Sequence, residues 1–308
     1  MKITQVEQLQ KMAKMVRKEI IEQVYKAQSG HPGGSLSIAD ILTVLYFNEL
    51  NIDPKNPKWD NRDRVVLSKG HCSPALYSCL ANRGFFEIKE LEEFRSIEGK
   101  LQGHPDMNKV LGVDMTTGSL GQGLSAANGM AIAAKLDKKN YRVYCILGDG
   151  EIEEGQIWEA AMASSKYKLD NLCVVIDNNN LQIDGTIGEV MNSYPIDEKF
   201  KSFGFQVINI NGHDIEEIIK AFEKFEFIGV NETIDTYYYD KSIADGYTLK
   251  LMREPIETIY KERIESILDK LAGNVEVKKS DIDKNKIIEH ESYLNALLDY
   301  IISDLRRF

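Results

Sequence analysis

The chain has 308 residues, of which 43% are hydrophobic, enough for one large α/β domain with a smaller appendage and a buried core. Its formal net charge of −10 argues against general attraction to nucleic acid or anionic membrane surfaces, so any phosphate would have to be bound by local geometry. The four cysteines, Cys72, Cys79, Cys145 and Cys173, form no CxxC pair, and two of them fall inside apolar runs, which fits a reduced thiol set. The N-terminus is charged and helix-patterned, and no run approaches the length of a membrane span. A cytoplasmic protein without membrane association is expected.

Val6, Leu9, Ala13, Val16, Ile20 and Val24 recur at helical spacing and predict a helix to about Ala27, stopped by Ser29 to Gly34. A second helix is expected over Ile38 to Leu50. Arg64 to Ser68 reads as a strand leading into the Gly70-His71 loop, and Pro74 to Arg83 as a helix. After a polar region with Gly103-His104-Pro105 comes the small-residue segment Gly118 to Gly123, then a helix over Leu124 to Leu136. Arg142 to Leu147, Ile152 to Tyr167 and Leu172 to Ile176 form a strand–helix–strand unit, and Phe205 to Ile210 followed by Ile215 to Phe225 extends the alternation. The expected fold is α/β, a parallel sheet with helices on both faces.

Past Phe225 the pattern changes. Tyr237-Tyr238-Tyr239 and a charged run precede two amphipathic helices, one with Ile256, Tyr260, Ile264, Ile267 and Leu271, the other with Ile287, Leu294, Leu297, Ile301 and Leu305. The chain therefore divides into residues 1–225 and a helical segment 226–308 with no further strand.

Asp149 stands between two glycines at the end of one predicted strand, and Asn178-Asn179 at the end of the next. Adjacent parallel strands bring such ends together, where open α/β sheets bind ligands. A carboxylate, an amide oxygen and a nearby carbonyl such as that of Leu181 are hard ligands suited to Mg²⁺. Gly150 would admit a diphosphate closely, and the following helix would point free N–H groups at it. Taken alone, Gly-Asp-Gly reads most simply as a tight turn. Three of the five histidines, His31, His71 and His104, lie in loops flanked by glycine or proline. Any one of them alone reads as a solvated side chain. Together they suggest a site mouth that holds phosphates and moves protons.

Ser29-Gly30-His31-Pro32-Gly33-Gly34, Ser68-Lys69-Gly70-His71, Gly103-His104-Pro105, Thr117 to Gly123 and Gly148 to Asn179 together resemble the transketolase family, in particular the separately encoded N-terminal subunit of a split enzyme. The resemblance implies thiamine diphosphate and Mg²⁺, or another divalent cation such as Ca²⁺ or Mn²⁺, as cofactors. It implies Asp149, Asn179 and the Leu181 carbonyl as metal ligands, and Gly150 and His71 as diphosphate contacts. Gly118, Ser119 and Leu120 would lie beside the cofactor rings, and Glu154 would serve communication between two cofactor sites. His31 and His104, with His71, would line the channel and assist proton transfer as a glycolyl unit passes from a ketose phosphate to an aldose phosphate. The family's activating glutamate and substrate-phosphate arginines belong to a second domain, so a heterotetramer with a C-terminal partner subunit is implied. Residues 226–308 are similar to a helical connector of type I restriction enzyme R subunits, at Ala244 to Tyr247 and Ile256-Glu257-Thr258. That segment carries 12 Lys or Arg against 17 Asp or Glu, a net of −5, so no nucleic-acid partner is expected.

The resemblance also implies that the family's next strand, and a loop with a further histidine, are missing after Phe225, leaving an exposed sheet edge. Two other readings stand beside transketolase. One is a 1-deoxyxylulose-5-phosphate synthase-like enzyme, against which Gly103-His104-Pro105 speaks. The other is a catalytically inactive fusion or interaction subunit.

Overall fold

The structure, a computed structural model, describes residues 2–183, 185–228 and 232–235. Helix α1 (Val6–Ala27) ends where Gln28 adopts a left-handed conformation, φ 50°, and its N–H bonds to Tyr25 O. The predicted Ile38–Leu50 helix is broken and begins earlier. Pro32 starts α2 (Pro32–Ser37), α3 covers Ala39–Val44, and a π-helical turn follows over Leu45–Glu49. Proline suits a first helical turn, where its missing N–H costs nothing, so the loop expected to stop one helix starts the next.

Strand β1 (Arg64–Leu67) leads to α4 (Ser73–Arg83), which Gly84 terminates at φ 93°. Next come α5 (Gly123–Leu136), β2 (Val143–Gly148), α6 (Gly155–Lys166) and β3 (Leu172–Asp177). A small antiparallel hairpin of β4 (Leu181–Gln182) and β5 (Gly185–Thr186) follows, with short helices α7 (Ile187–Val190) and α8 (Ile196–Ser202). Strand β6 (Gln206–Asn209) and α9 (Ile215–Ile228) precede β7 (Glu232–Asp235).

The main sheet has order β1-β2-β3-β7-β6 and is parallel throughout. This corrects the expectation of a missing strand. The chain does form one after α9, and it lies inside the sheet, paired with Cys173–Ile176 of β3 on one side and with β6 on the other. The domain therefore runs past residue 225. Glu-Thr-Ile-Asp has no apolar run to announce a strand, and only pairing on both sides makes it one. The expected helices beyond it, and the likeness to a restriction-enzyme connector, lie outside the described residues.

Both sheet faces are covered. Alternate residues of the central strands enter two separate cores, as the period of two demands. Tyr144, Ile146, Cys173 and Val175 pack with α1, α3, α4 and α9, where Leu9, Ile20, Leu42, Leu80 and Phe222 are buried. Val143, Cys145, Leu147, Val174 and Ile176 pack with α5, α6 and α8, where Leu124, Ala131, Ile157 and Phe200 are buried. All four cysteines are buried, and none forms a disulfide among the described residues. No helix among the described residues is long and apolar enough to cross a membrane.

Candidate functional site

Parallel pairing puts the carboxyl ends of β1, β2 and β3 side by side, with Gly148 opposite Asp177. Three loops leave these ends: Ser68 to His71, Asp149-Gly150, and Asn178 to Leu181. Asp149 is 2% exposed, and its carboxylate accepts the N–H groups of Gly150 at 2.9 Å and Asn180 at 2.6 Å. In the same turn Asn179 Oδ1 accepts the N–H of Leu181 at 2.9 Å. The carboxylate, the amide oxygen and the Leu181 backbone are thus tied into one small turn. Burial, then repulsion from Asp177, pushes Asp149 up to about 7 against the opposing pull of Lys69. Such a buried, weakly compensated carboxylate with neutral oxygen donors beside it fits a hard divalent cation.

The histidine loops meet at this end of the sheet. The rings of His31 and His71 lie edge to face with centroids 5.2 Å apart. His71 is half-buried, and burial followed by Lys69, His31 and His104 pushes it down to about 3, so its imidazole is neutral at pH 7. His31 and His104 are more exposed, and burial together with the Arg95 cation lowers both. The His104 ring packs on Gly118, where an added Cβ would stand 3.4 Å from it. Gly70 lies against the Thr117–Gly118 backbone so closely that a Cβ would stand 2.6 Å from Thr117 Oγ1. The structure therefore gathers His31, His71, His104, Gly118, Asp149 and Asn179 around the strand ends, while Ser119, Leu120, Leu181 and Glu154 are exposed at the surface.

Glu154 caps α6 beside Gly121, whose hypothetical Cβ would stand 2.7 Å from Glu154 Cβ. The helix expected directly after Gly150 is delayed. A 3-10 turn, Glu151–Glu153, comes first, and Gly150 caps that turn rather than α6. Glu151 causes this by turning back, its carboxylate accepting the N–H groups of Gly148 and Gly121 at 3.0 Å each and the hydroxyl of Ser68.

Three polar residues were given no role of their own by the sequence reading. Lys69 and Asp177, each 2% exposed, form an ion pair. Ser37 Oγ donates to Asp177 Oδ1 at 2.6 Å, Asn179 Nδ2 to Asp177 Oδ2 at 3.3 Å, and Lys69 Nζ to Gly34 O at 3.4 Å. Burial, the largest single influence, depresses the Lys69 ammonium, but Asp177, Cys72 and Asp149 together more than offset it and hold the pKa above its ordinary value. The pair stitches the His31 loop, the His71 loop and the end of β3 together. A lysine and an aspartate at the ends of two apolar strands were the available signal. The third residue, Arg95, is anchored by Ser29 Oγ at 3.0 Å.

Residues 8–228 match the family described as "Transketolase, thiamine diphosphate binding domain". Among curated proteins, a 6-deoxy-6-sulfo-D-fructose transketolase subunit of Clostridium sp. is 48% identical over 216 residues, covering 70% of this chain and 78% of that protein. An apulose-4-phosphate transketolase subunit of Phocaeicola vulgatus is 47% identical over 226 residues, covering 72% and 79%. Human transketolase is 44% identical over 217 residues, covering 70% of this chain but 34% of its own length. Among solved structures, transketolase from Campylobacter jejuni superposes with a TM-score of 0.72 at 39% identity, covering 76% of this chain and 38% of that one.

Proposed function

Because the chain belongs to the transketolase thiamine diphosphate-binding domain family, we propose that it is the N-terminal subunit of a split transketolase. In this reading it binds thiamine diphosphate with Mg²⁺ or a similar divalent cation. It transfers a glycolyl unit from a ketose phosphate to an aldose phosphate together with a C-terminal partner subunit. The observation that carries the reading is the junction of the Asp149 carboxylate with the Asn179–Leu181 turn beside neutral His71, at the ends of three parallel strands. Support for a partner comes from relatives that are themselves named subunits and cover this chain to a similar extent. The chain spans about a third of the single-chain transketolases, so the activating glutamate is assigned to the partner.

Thiamine diphosphate, when bound, supplies the carbanion chemistry that breaks and remakes a carbon–carbon bond beside a carbonyl. The protein's own residues divide the remaining work. Asp149, Asn179 and the Leu181 carbonyl hold the cation, Gly150 and His71 bind the diphosphate, and Gly118, Ser119 and Leu120 flank the rings. His31 and His104, kept neutral at pH 7, take and return the hydroxyl proton of the sugar. Glu154, exposed at the start of α6, faces the partner and links the two cofactor sites. The protein works in the cytoplasm.

Calorimetric titration of the full chain with thiamine diphosphate and Mg²⁺ tests binding, and Asp149→Ala should abolish it. Turnover is assayed with the partner subunit present, using xylulose-5-phosphate with ribose-5-phosphate and, following the relatives' names, 6-deoxy-6-sulfofructose and apulose-4-phosphate. No binding heat with or without the partner would refute the proposal. Tight complex formation without turnover of any of these sugars would mark an inactive interaction subunit instead.

A further inference from the structure

Arg95 lies between the His31 and His104 loops without belonging to either. Its backbone is left-handed, φ 59°, an uncommon conformation for a residue with a side chain. Its N–H donates to Leu101 O at 2.8 Å and so closes the loop between them. Gln102 Nε2 fastens the same loop from inside, donating to Ser96 O at 3.0 Å and Gly99 O at 2.6 Å.

From this rigid base the side chain reaches two ways. Nη1 donates to Ser29 Oγ at 3.0 Å, two residues before His31. The guanidinium also lies flat on Gly103, one residue before His104, where a Cβ would stand 2.7 Å from Nη2, 2.8 Å from Cζ and 2.9 Å from Nε. A Cβ there would have to push the guanidinium aside. Nε is buried and has no acceptor among the described residues, and no carboxylate there pairs with the cation. Arg95, Ser29, Gln102 and His104 line an open cavity of about 600 Å³.

We propose that Arg95 is the positioning residue of this site, its single guanidinium clamping the His31 loop to the His104 loop and presenting the two imidazoles as proton acceptors. The role of those acceptors rests on the functional reading above; the clamp does not. Electrostatics agree with the geometry. After burial, Arg95 is the leading charge acting on each of these two histidines. The other titratable groups nearby are His71, in ring contact with His31, and His104, which also acts on His31, while Asp106 lines the cavity from the His104 loop. Lys69 acts on His71 behind them.

The test is ring-proton NMR titration of the full chain, with signals assigned from His31→Gln and His104→Gln. In Arg95→Gln both histidines should titrate higher by about half a pH unit or more, and Arg95→Lys, which keeps the charge, should return them most of the way. With the partner subunit, Arg95→Gln should lower kcat by about tenfold or more and leave the sugar KM little changed. If Arg95→Gln does not fold, Ser29→Ala removes only the acceptor on the His31 loop, and His31 should move while His104 stays. Superimposable histidine titrations in a folded Arg95→Gln, or an unmoved His31 in Ser29→Ala, would overturn the proposal. The titration needs no cofactor, so a failure of thiamine diphosphate to bind would count against the functional reading alone.

Discussion

A histidine that stays neutral in the native state makes stability depend on pH, and His71 is the strongest case here. Its folded pKa is about 3, set by burial and then by Lys69, His31 and His104, against about 6.5 in an unfolded chain. Between those values the unfolded chain binds more protons than the native one. The contribution is therefore fully present above pH 6.5 and is lost as pH falls toward 3. In urea unfolding between pH 7 and 4.5 His71 should contribute a fall in stability of up to about 1.4 kcal/mol per pH unit, opposed by Asp149, whose pKa, pushed up to about 7, gains stability as pH falls. The His71 share is read as the difference between the wild-type and His71→Asn curves, and equal pH dependence in the two would rule it out. At this scale the candidate site was legible, because Asp149, Asn179 and the three loop histidines stand out as polar residues at strand ends and in glycine-rich loops. Lys69 and Asp177 were not, since a charged residue closing an apolar strand reads as the first solvated position. Nothing local says that each buries the other.

Between elements, contacts of this kind hold the loops of the site in register. The Lys69–Asp177 pair joins the ends of β1 and β3, and Ser37 brings in α2. Lys69→Met should cost about 3–5 kcal/mol in urea unfolding, because it strands a buried carboxylate. Lys69→Met combined with Asp177→Leu should cost clearly less than the sum of the two single changes, and additive losses would show that the pair does not couple. Helix α5 starts so close to β1 that a Cβ on Gly123 would stand 2.3 Å from Ser68 Oγ and 2.8 Å from Ser68 Cα. Gly123→Ala should therefore cost about 1–3 kcal/mol and displace Ser68 from Glu151, seen as a lower unfolding midpoint. Element by element, β1, β2, β3, α1, α4 and α5 matched their patterns to within a residue or two. The exceptions were α2, hidden in a Gly-Pro loop, the break of the expected Ile38–Leu50 helix, the unpredicted β4–β5 hairpin with α7 and α8, the delayed start of α6, decided by a side chain folding back, and β7.

For the whole molecule the position of β7 has the largest consequence. Without it β6 has no strand partner, since β3 and β6 each pair with β7 and not with one another. A chain cut after Phe225 should lose cooperative unfolding and aggregate through exposed strand edges, whereas one cut after Ser242, the end of the first compact unit, should keep the sheet. Circular dichroism melts and gel filtration of the two truncations distinguish these outcomes. The sequence by itself determined the long strands and helices that flank the site and which loops carry polar chemistry. Periods of two and 3.6 and the placing of glycine and proline are local properties. The tertiary structure alone decided that β7 enters the middle of the sheet, that Lys69 meets Asp177 and that Arg95 spans two histidine loops. Each of these contacts joins distant parts of the chain, and pairing and burial create it where no local periodicity records it.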